Sequence, residues 1–228
     1  MTMDKATKII SFANMKGGVG KSMLTIKTAL LLASEPYNYT VAVIDADAQG
    51  TIVKRRKLEE SKGIKDFKLE IYQSSFDDVK QITRDLYSSE KYDYIFIDIP
   101  RSTTGYDAET LSKILVFTET VIVPLLASES ELTSSIEFIK ILKSLQEAKE
   151  KKGLVLNIFG LANKKRASLK MNDKVGQIIK GLKIDRFNTE IREVPTVFNN
   201  FNTNDSEYNN EKVQTYLVPF INEFVEKV

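Results

Sequence analysis

The sequence predicts a doubly wound α/β fold: a mostly parallel sheet with helices on both faces. Runs rich in Val and Ile, apolar toward both sides, alternate with segments of helical period. The chain has 228 residues, which at roughly 150 residues per domain is read as one domain, residues 1–228, with a sizeable core. Apolar residues are 42% and charged residues 28%, as in an ordinary soluble globular protein rather than a disordered or membrane chain.

The elements follow in order. Lys8 to Ala13 is a short apolar strand that ends in a glycine-rich turn, and a helical pattern runs from Lys21 to about Ser34. Thr40 to Ala46 is a β-branched strand ending in carboxylates. Lys54 to Lys62 is predicted as a charged helix and Lys68 to Tyr72 as an edge strand. Val79, Ile82 and Leu86 recur at spacings of three and four, so Asp77 to Ser88 is helical. Tyr92 to Ile99 and Thr120 to Leu125 are strong strands. From Glu129 to Glu150, Leu132, Ile136, Ile139, Leu142 and Leu145 mark one face of a long helix. Leu154 to Ala162 is a further strand, and Asn172 to Leu182 a further helix. Val213 to Val225 is a last helical pattern that Pro219 must kink or divide. The Asn-rich stretch from Asn199 to Asn210 is predicted as a surface loop.

Two residue types are missing altogether. Without Cys there are no disulfides, thiolate metal sites or cysteine nucleophiles, and without His there is no Ser-His-Asp hydrolysis. Carboxylate, amine, hydroxyl and backbone amide remain, a vocabulary suited to phosphate chemistry. The net charge is only +2, so affinity for a polyanion must come from local clustering. Residues 1–8 lack a signal-peptide core, and the longest apolar stretch, Val121 to Ala127, is far shorter than the ~20 residues of a membrane span. A cytoplasmic location is expected.

The first strand runs into Asn14-Met15-Lys16-Gly17-Gly18-Val19-Gly20-Lys21-Ser22 and then directly into a helix. Glycines let backbone N–H groups converge on phosphate oxygens, and the helix N-terminus adds its positive end. Lys21 is placed to reach the β- and γ-phosphates and the Ser22 hydroxyl to bind Mg²⁺. The strict pattern G-x-x-x-x-G-K-[ST] is not met, because its first position is Met15. A glycine-rich turn with an incidental lysine is the plainer alternative. Against it stand two more strands that end in acids, one at Asp45 and Asp47 and the other at Asp98. In an open parallel sheet the ligand crevice lies at the carboxyl ends of the strands, so all three segments deliver polar groups to one rim. Strand-end Asp residues also serve as turn formers and helix caps, an alternative that applies to each of them singly.

Three segments together resemble the ParA/MinD family of deviant Walker A ATPases, within the P-loop NTPase fold. They are Lys16 to Ser22, Val43 to Gly50 and Tyr92 to Asp98, and the lysine ahead of the glycines is their most specific mark. The chain is most similar to small ParA-type plasmid or chromosome partition ATPases. The resemblance implies ATP and ADP as ligands, Mg²⁺ as cofactor and an ATP-dependent homodimer. It implies that Lys16 reaches the phosphates of the partner copy while Lys21 holds those of its own, so that hydrolysis depends on pairing. It also implies phosphate contacts from Gly17, Gly18, Val19, Gly20, Ser22 and Met23, and water activation by Asp47. Asp45 would support the Mg²⁺ shell, and Asp98 would hold the ion through water. For adenine it points to Asn163 and Pro195, which are also readable as a turn residue and a helix-start residue. Met23, Ala48 and Arg101 depart from the family pattern, and they bear on the hydrolysis rate more than on binding.

Composition narrows the job the resemblance implies. Cluster-carrying relatives need Cys, and tyrosine-kinase relatives carry a C-terminal Tyr cluster, whereas Tyr208 and Tyr216 stand apart. The last stretch, Asn199 to Val228, has five acidic residues against Lys212 and Lys227, unlike a basic membrane-binding helix, so no membrane partner is expected. Its stripe of Val213, Leu217, Phe220 and Phe224 is predicted to be core. From Gly160 to Arg192, nine basic residues stand against three acidic ones, beginning with Lys164, Lys165, Arg166, Lys170 and Lys174. Lys54-Arg55-Arg56-Lys57 adds a second block. Such clusters suit nonspecific DNA, though a solvated helical face is the alternative for any one lysine. The expected function is therefore ATP-dependent DNA partition with a ParB-like or other cargo adaptor, the ATP-bound dimer lying on the nucleoid. The alternatives are a positioning ATPase for a conjugation or secretion machine without direct DNA binding, and an ATP-sensing module with little turnover.

Overall fold

The structure, a computed structural model, describes residues 6–47, 49–75, 77–99, 112–126, 129–164, 180–194 and 201–228. In chain order the elements are β1 (Lys8–Phe12), α1 (Lys21–Leu32), β2 (Val41–Asp45), α2 (Thr51–Ser61), β3 (Leu69–Gln73), α3 (Val79–Ser88) and β4 (Tyr94–Asp98). Then follow β5 (Thr120–Leu125), α4 (Glu129–Glu150), β6 (Asn157–Ala162), β7 (Asp185–Arg186), α5 (Glu211–Tyr216) and α6 (Val218–Lys227).

Among the described residues the strands form one sheet in the order β3-β2-β4-β1-β5-β6-β7, every neighbouring pair parallel. From β1 the chain steps outward through β2 to β3, returns to β4 beside β1, and then crosses to the other side through β5, β6 and β7, so the crevice expected of such a sheet opens at the carboxyl end of β1. That strand lies between β4 and β5, and the loop after it is flanked by both their ends.

Alternation along the strands builds two cores. On one face Ile9, Ala42, Ile44, Ile95, Ile97, Val121 and Val123 pack with Val79 and Leu86 of α3 and with Leu132, Phe138, Ile139, Leu142 and Leu145 of α4. On the other, Ile10, Phe12, Val41, Val43, Phe96 and Ile122 pack with Leu24 to Leu32 of α1 and with Phe220, Ile221 and Phe224 of α6. Burial on both faces is why these strands read as continuous apolar runs.

Several expectations are adjusted. The last apolar stripe is core, as its pattern predicts, with Val213, Phe220 and Phe224 fully buried. Pro219 divides the last helix rather than kinking it: α5 ends at Tyr216, and the proline falls in the first turn of α6. There its missing N–H removes no helical hydrogen bond. On α4 the apolar face includes Phe138, whereas Ile136 is only half-buried. Leu154 and Val155 are exposed and precede β6, which starts at Asn157. β7 went unpredicted because Asp185 and Arg186 carry no apolar pattern. The predicted helix at 172–182 lies outside the described residues up to 179, and 180–182 are helical.

The Asn-rich loop is not a surface loop throughout. Asn202, Thr203 and Ser206 are buried, Thr203 completely. Its backbone N–H and hydroxyl donate to Glu59 of α2, the hydroxyl at 2.5 Å. Arg56 donates from Nε to the Thr203 hydroxyl at 2.9 Å and from Nη2 to its carbonyl at 3.2 Å. Buried polar groups of a loop persist when they are paired in this way.

Candidate functional site

The loop after β1 is clamped before it turns. Asn14 Nδ2 donates to the Pro124 carbonyl and to Ser135 Oγ, both at 2.9 Å, while its Oδ1 accepts the Lys16 N–H at 3.1 Å. The loop is thereby tied to the end of β5 and to α4. Gly18 and Gly20 then take φ of 79° and 95°, left-handed values that a side chain would strain. The Gly20 carbonyl accepts from Leu24 N at 2.8 Å and opens α1. Lys21, 6% exposed, folds back so that Nζ donates to the Lys16 carbonyl at 3.1 Å.

The ends of β2 and β4 lie side by side, with Asp45 opposite Asp98 in register. Ser22 donates its hydroxyl to the Asp98 carboxyl. Among the described residues Asp98 Oδ1 is buried without a partner. Burial pushes this carboxyl up to about 7; the Ser22 hydrogen bond and the Lys21 charge oppose the rise, and the Asp45 and Asp47 charges add to it. Asp45 is spent differently. Its Oδ2 accepts from Ile52 N at 3.0 Å and Val53 N at 3.1 Å, capping α2, and its Oδ1 accepts from Asp47 N at 3.3 Å. Burial raises its pKa, and those three N–H groups pull it back down. The helix-cap alternative thus describes Asp45 as the chain folds. Asp47, half-buried, accepts from Gln49 N at 2.8 Å in an Asx turn.

A cavity of about 220 Å³ opens between these groups, lined by Gly18, Gly20, Lys21, Ser22, Met23, Asp47, Gln49, Thr51, Ile99 and Phe201. The sequence motifs give no role to Gln49, Thr51, Ile99 or Phe201. The first three flank the acidic strand ends and were available as a signal. Phe201 comes from the Asn-rich loop and offered none.

The end of β6 closes over the back of the loop. Asn163 is buried; its Nδ2 donates to the Val19 carbonyl at 2.8 Å, and its Oδ1 has no partner among the described residues. Lys164 Nζ donates to the Gly18 carbonyl at 2.7 Å. Lys16 and Gly17 sit on the loop without lining the cavity, and Val19 is buried beneath it. Pro195, Ala48 and Arg101 lie outside the described residues, as do Lys165, Arg166, Lys170 and Lys174.

The second basic block, Lys54 to Lys57, is only partly on the surface. Arg56 turns inward, with Nη1 on the Leu69 carbonyl at 3.1 Å and its guanidinium 3.8 Å from the Phe67 ring centre. Arg55 bonds Glu59 at 2.8 Å, which leaves Lys54 and Lys57 exposed. Arg192 lies over the Tyr216 ring. No helix among the described residues is long and apolar enough to cross a membrane.

A parallel sheet with a left-handed glycine loop at its switch point, a folded-back lysine and a buried carboxyl with one bare oxygen defines a phosphate-binding domain of P-loop type. The chain belongs to the CobQ/CobB/MinD/ParA nucleotide binding domain family, matched over residues 10–216. No curated protein matches it. Its fold is similar to that of the MinD cell division protein of Aquifex aeolicus, at 19% identity and a TM-score of 0.71 over 97% of this chain and 98% of that one. It is similar also to a plasmid partition protein of Borrelia burgdorferi, at 24% identity and a TM-score of 0.68 over 97% and 99% of the two chains. A third likeness is to MinD of Pyrococcus horikoshii complexed with Mg-ADP, at 18% identity and a TM-score of 0.65 over 97% and 96%.

Proposed function

We propose that the chain is a ParA-type ATPase that binds Mg-ATP at the carboxyl rim, pairs with a second copy and hydrolyses ATP slowly. In this reading it serves DNA partition with a ParB-like or other cargo adaptor. The single observation that carries the nucleotide reading is Asp98 Oδ1, near Ser22 and Lys21, a buried acceptor with no partner among the described residues. An orphaned buried carboxylate oxygen is costly unless a cation or its water completes it. Among the described residues no three carboxylates converge on an all-protein metal cage. That suits Mg²⁺, which keeps several waters and is bound by one or two carboxylates with substrate phosphates. Ser22 and Asp98 would hold the ion, which when bound neutralises charge on the phosphates.

The chain's own groups supply the rest. Loop N–H groups and Lys21 bind the phosphates, and Met23 covers part of the cavity wall. Asp47 would orient and polarise a water whose oxygen attacks the γ-phosphorus, while the bond to the bridging oxygen breaks to leave ADP and phosphate. Asn163 Oδ1 is a free acceptor for an exocyclic amine, which supports adenine; Pro195 is proposed beside it on family likeness alone. Lys16 is proposed to act across the dimer, and the AMPPNP-bound Borrelia burgdorferi B31 partition-type protein and the MinC:MinD complex of Aquifex aeolicus are similar folds in keeping with nucleotide and partner binding.

A second reading, a positioning ATPase for a protein machine without direct DNA contact, is favoured by one observation. Arg56 and Lys164, drawn from the two basic clusters, bind the protein's own carbonyls. The test is size-exclusion chromatography of wild type and Lys16→Ala with and without Mg-ATP, then retention of random-sequence DNA by each fraction. Partition predicts an ATP-dependent dimer that retains DNA in a salt-sensitive way and is lost in Lys16→Ala. A dimer without DNA retention selects the second reading, and normal pairing and turnover of Lys16→Ala removes its trans role. Turnover abolished in Asp47→Ala eliminates the ATP-sensing alternative.

A further inference from the structure

We infer that Lys164, the first residue of the sequence's basic cluster, is a positioning residue of the nucleotide site rather than a DNA contact. This rests on the nucleotide reading above and concerns the same site. Its ammonium lies 2.7 Å from the Gly18 carbonyl. The preceding residue, Asn163, holds the next carbonyl, that of Val19, at 2.8 Å. In a planar trans peptide the C=O and the following N–H point in opposite directions. Drawing the Gly18 and Val19 carbonyls toward β6 therefore turns the Val19 and Gly20 N–H groups away from it. Lys21 acts likewise on the Lys16 carbonyl and so on the Gly17 N–H. Side-chain donors thus set the orientation of three peptide units in a loop whose function is to present N–H groups to phosphate.

Two further features show that this contact is built. Lys164 sits at φ 50°, a left-handed conformation that is uncommon for a lysine. Such strain persists where surrounding structure enforces it, and here it brings the side chain over the loop. The approach is also close: a Cβ on Gly20 would lie 3.0 Å from Asn163 Nδ2 and 3.9 Å from Lys164 Cε. Glycine at 20 is required by this closure as well as by its own φ. The ammonium also leaves a positive charge at the loop where phosphates would bind.

The experiment measures the affinity of a fluorescent ATP analogue, KM and kcat for ATP, and DNA retention for wild type, Lys164→Met, Lys164→Arg and Lys151→Met. Lys151 is exposed beyond the amino end of β6, at the opposite end of that strand, and controls for loss of one surface charge. Lys164→Met is expected to weaken nucleotide binding about tenfold, as loss of a charge-assisted hydrogen bond does, mainly through KM. Lys164→Arg should restore most of it, and Lys151→Met should bind as wild type does. Wild-type nucleotide affinity in Lys164→Met overturns the inference, and loss of DNA retention alone returns the residue to the DNA surface. A wild-type protein that binds no nucleotide refutes the underlying function instead.

Discussion

Two neighbouring strand ends carry the same residue and use it in opposite ways. Asp45 and Asp98 face each other in register on β2 and β4, both buried at the carboxyl rim. After β2 the chain turns at once into α2, whose first N–H groups return to the Asp45 carboxylate. After β4 the described chain offers Asp98 a Ser22 hydroxyl and leaves Oδ1 bare. A strand-end aspartate is therefore a structural cap where a helix N-terminus reaches it and keeps a bare oxygen where none does, the oxygen that the proposed function gives to the metal. The difference lies in what the following segment brings back, not in the residue.

The contrast can be broken by exchange. Asp98→Asn should reduce Mg²⁺-dependent nucleotide affinity by about 100-fold, as loss of a metal-site partner does. Above about pH 7 the metal-free variant should melt no lower than wild type, since a buried charge has been removed. Titration calorimetry and thermal melts check both. Asp45→Ala should behave inversely: about 2 kcal/mol lost in urea unfolding as the cap disappears, with nucleotide weakened only as far as α2 frays. If Asp45→Ala keeps full stability but loses Mg²⁺, the division of labour between the two is wrong.

A smaller effect sharpens it through pH. The Asp98 carboxyl titrates at about 7 in the folded protein against an ordinary 3.8. Between those values the native state holds a proton that the unfolded chain has released. Metal-free stability should accordingly fall as pH rises from about 4 to about 7 and level off above, by linkage. The difference between wild type and Asp98→Asn isolates this slope, and parallel curves would contradict it.

The smallest effect separates two adjacent basic residues of α2. Arg56→Met should cost about 1 kcal/mol of stability, by loss of its bonds to Thr203 and Leu69, without changing the salt dependence of DNA retention. Lys57→Met, exposed on the same helix, should leave the melt unchanged and, under the partition reading, flatten the salt slope by about one at most. The reverse pattern would put Arg56 back on the surface.

The sheet and its phosphate loop were legible because their signals are local. Val and Ile runs, the glycines at 17, 18 and 20 and the Lys21-Ser22 pair each act within one strand, turn or helix start. Asn163 stands out in the sequence as a candidate, but its grip on Val19 does not, because the two are 144 residues apart. The Asn-rich loop was misread for a related reason. Polarity predicts exposure only when no partner arrives, and Glu59 and Arg56 arrive from α2.

By itself, then, the sequence determined that a parallel α/β domain would present a glycine cradle, a lysine and three aspartates at one rim, since backbone conformation and strand direction follow from neighbouring residues. Tertiary structure alone decided which aspartate stays bare, which basic side chains turn inward and which aromatic enters the cavity. Those outcomes depend on hydrogen-bond partners delivered from distant segments, and a group's chemistry is whatever remains after its partners have been satisfied.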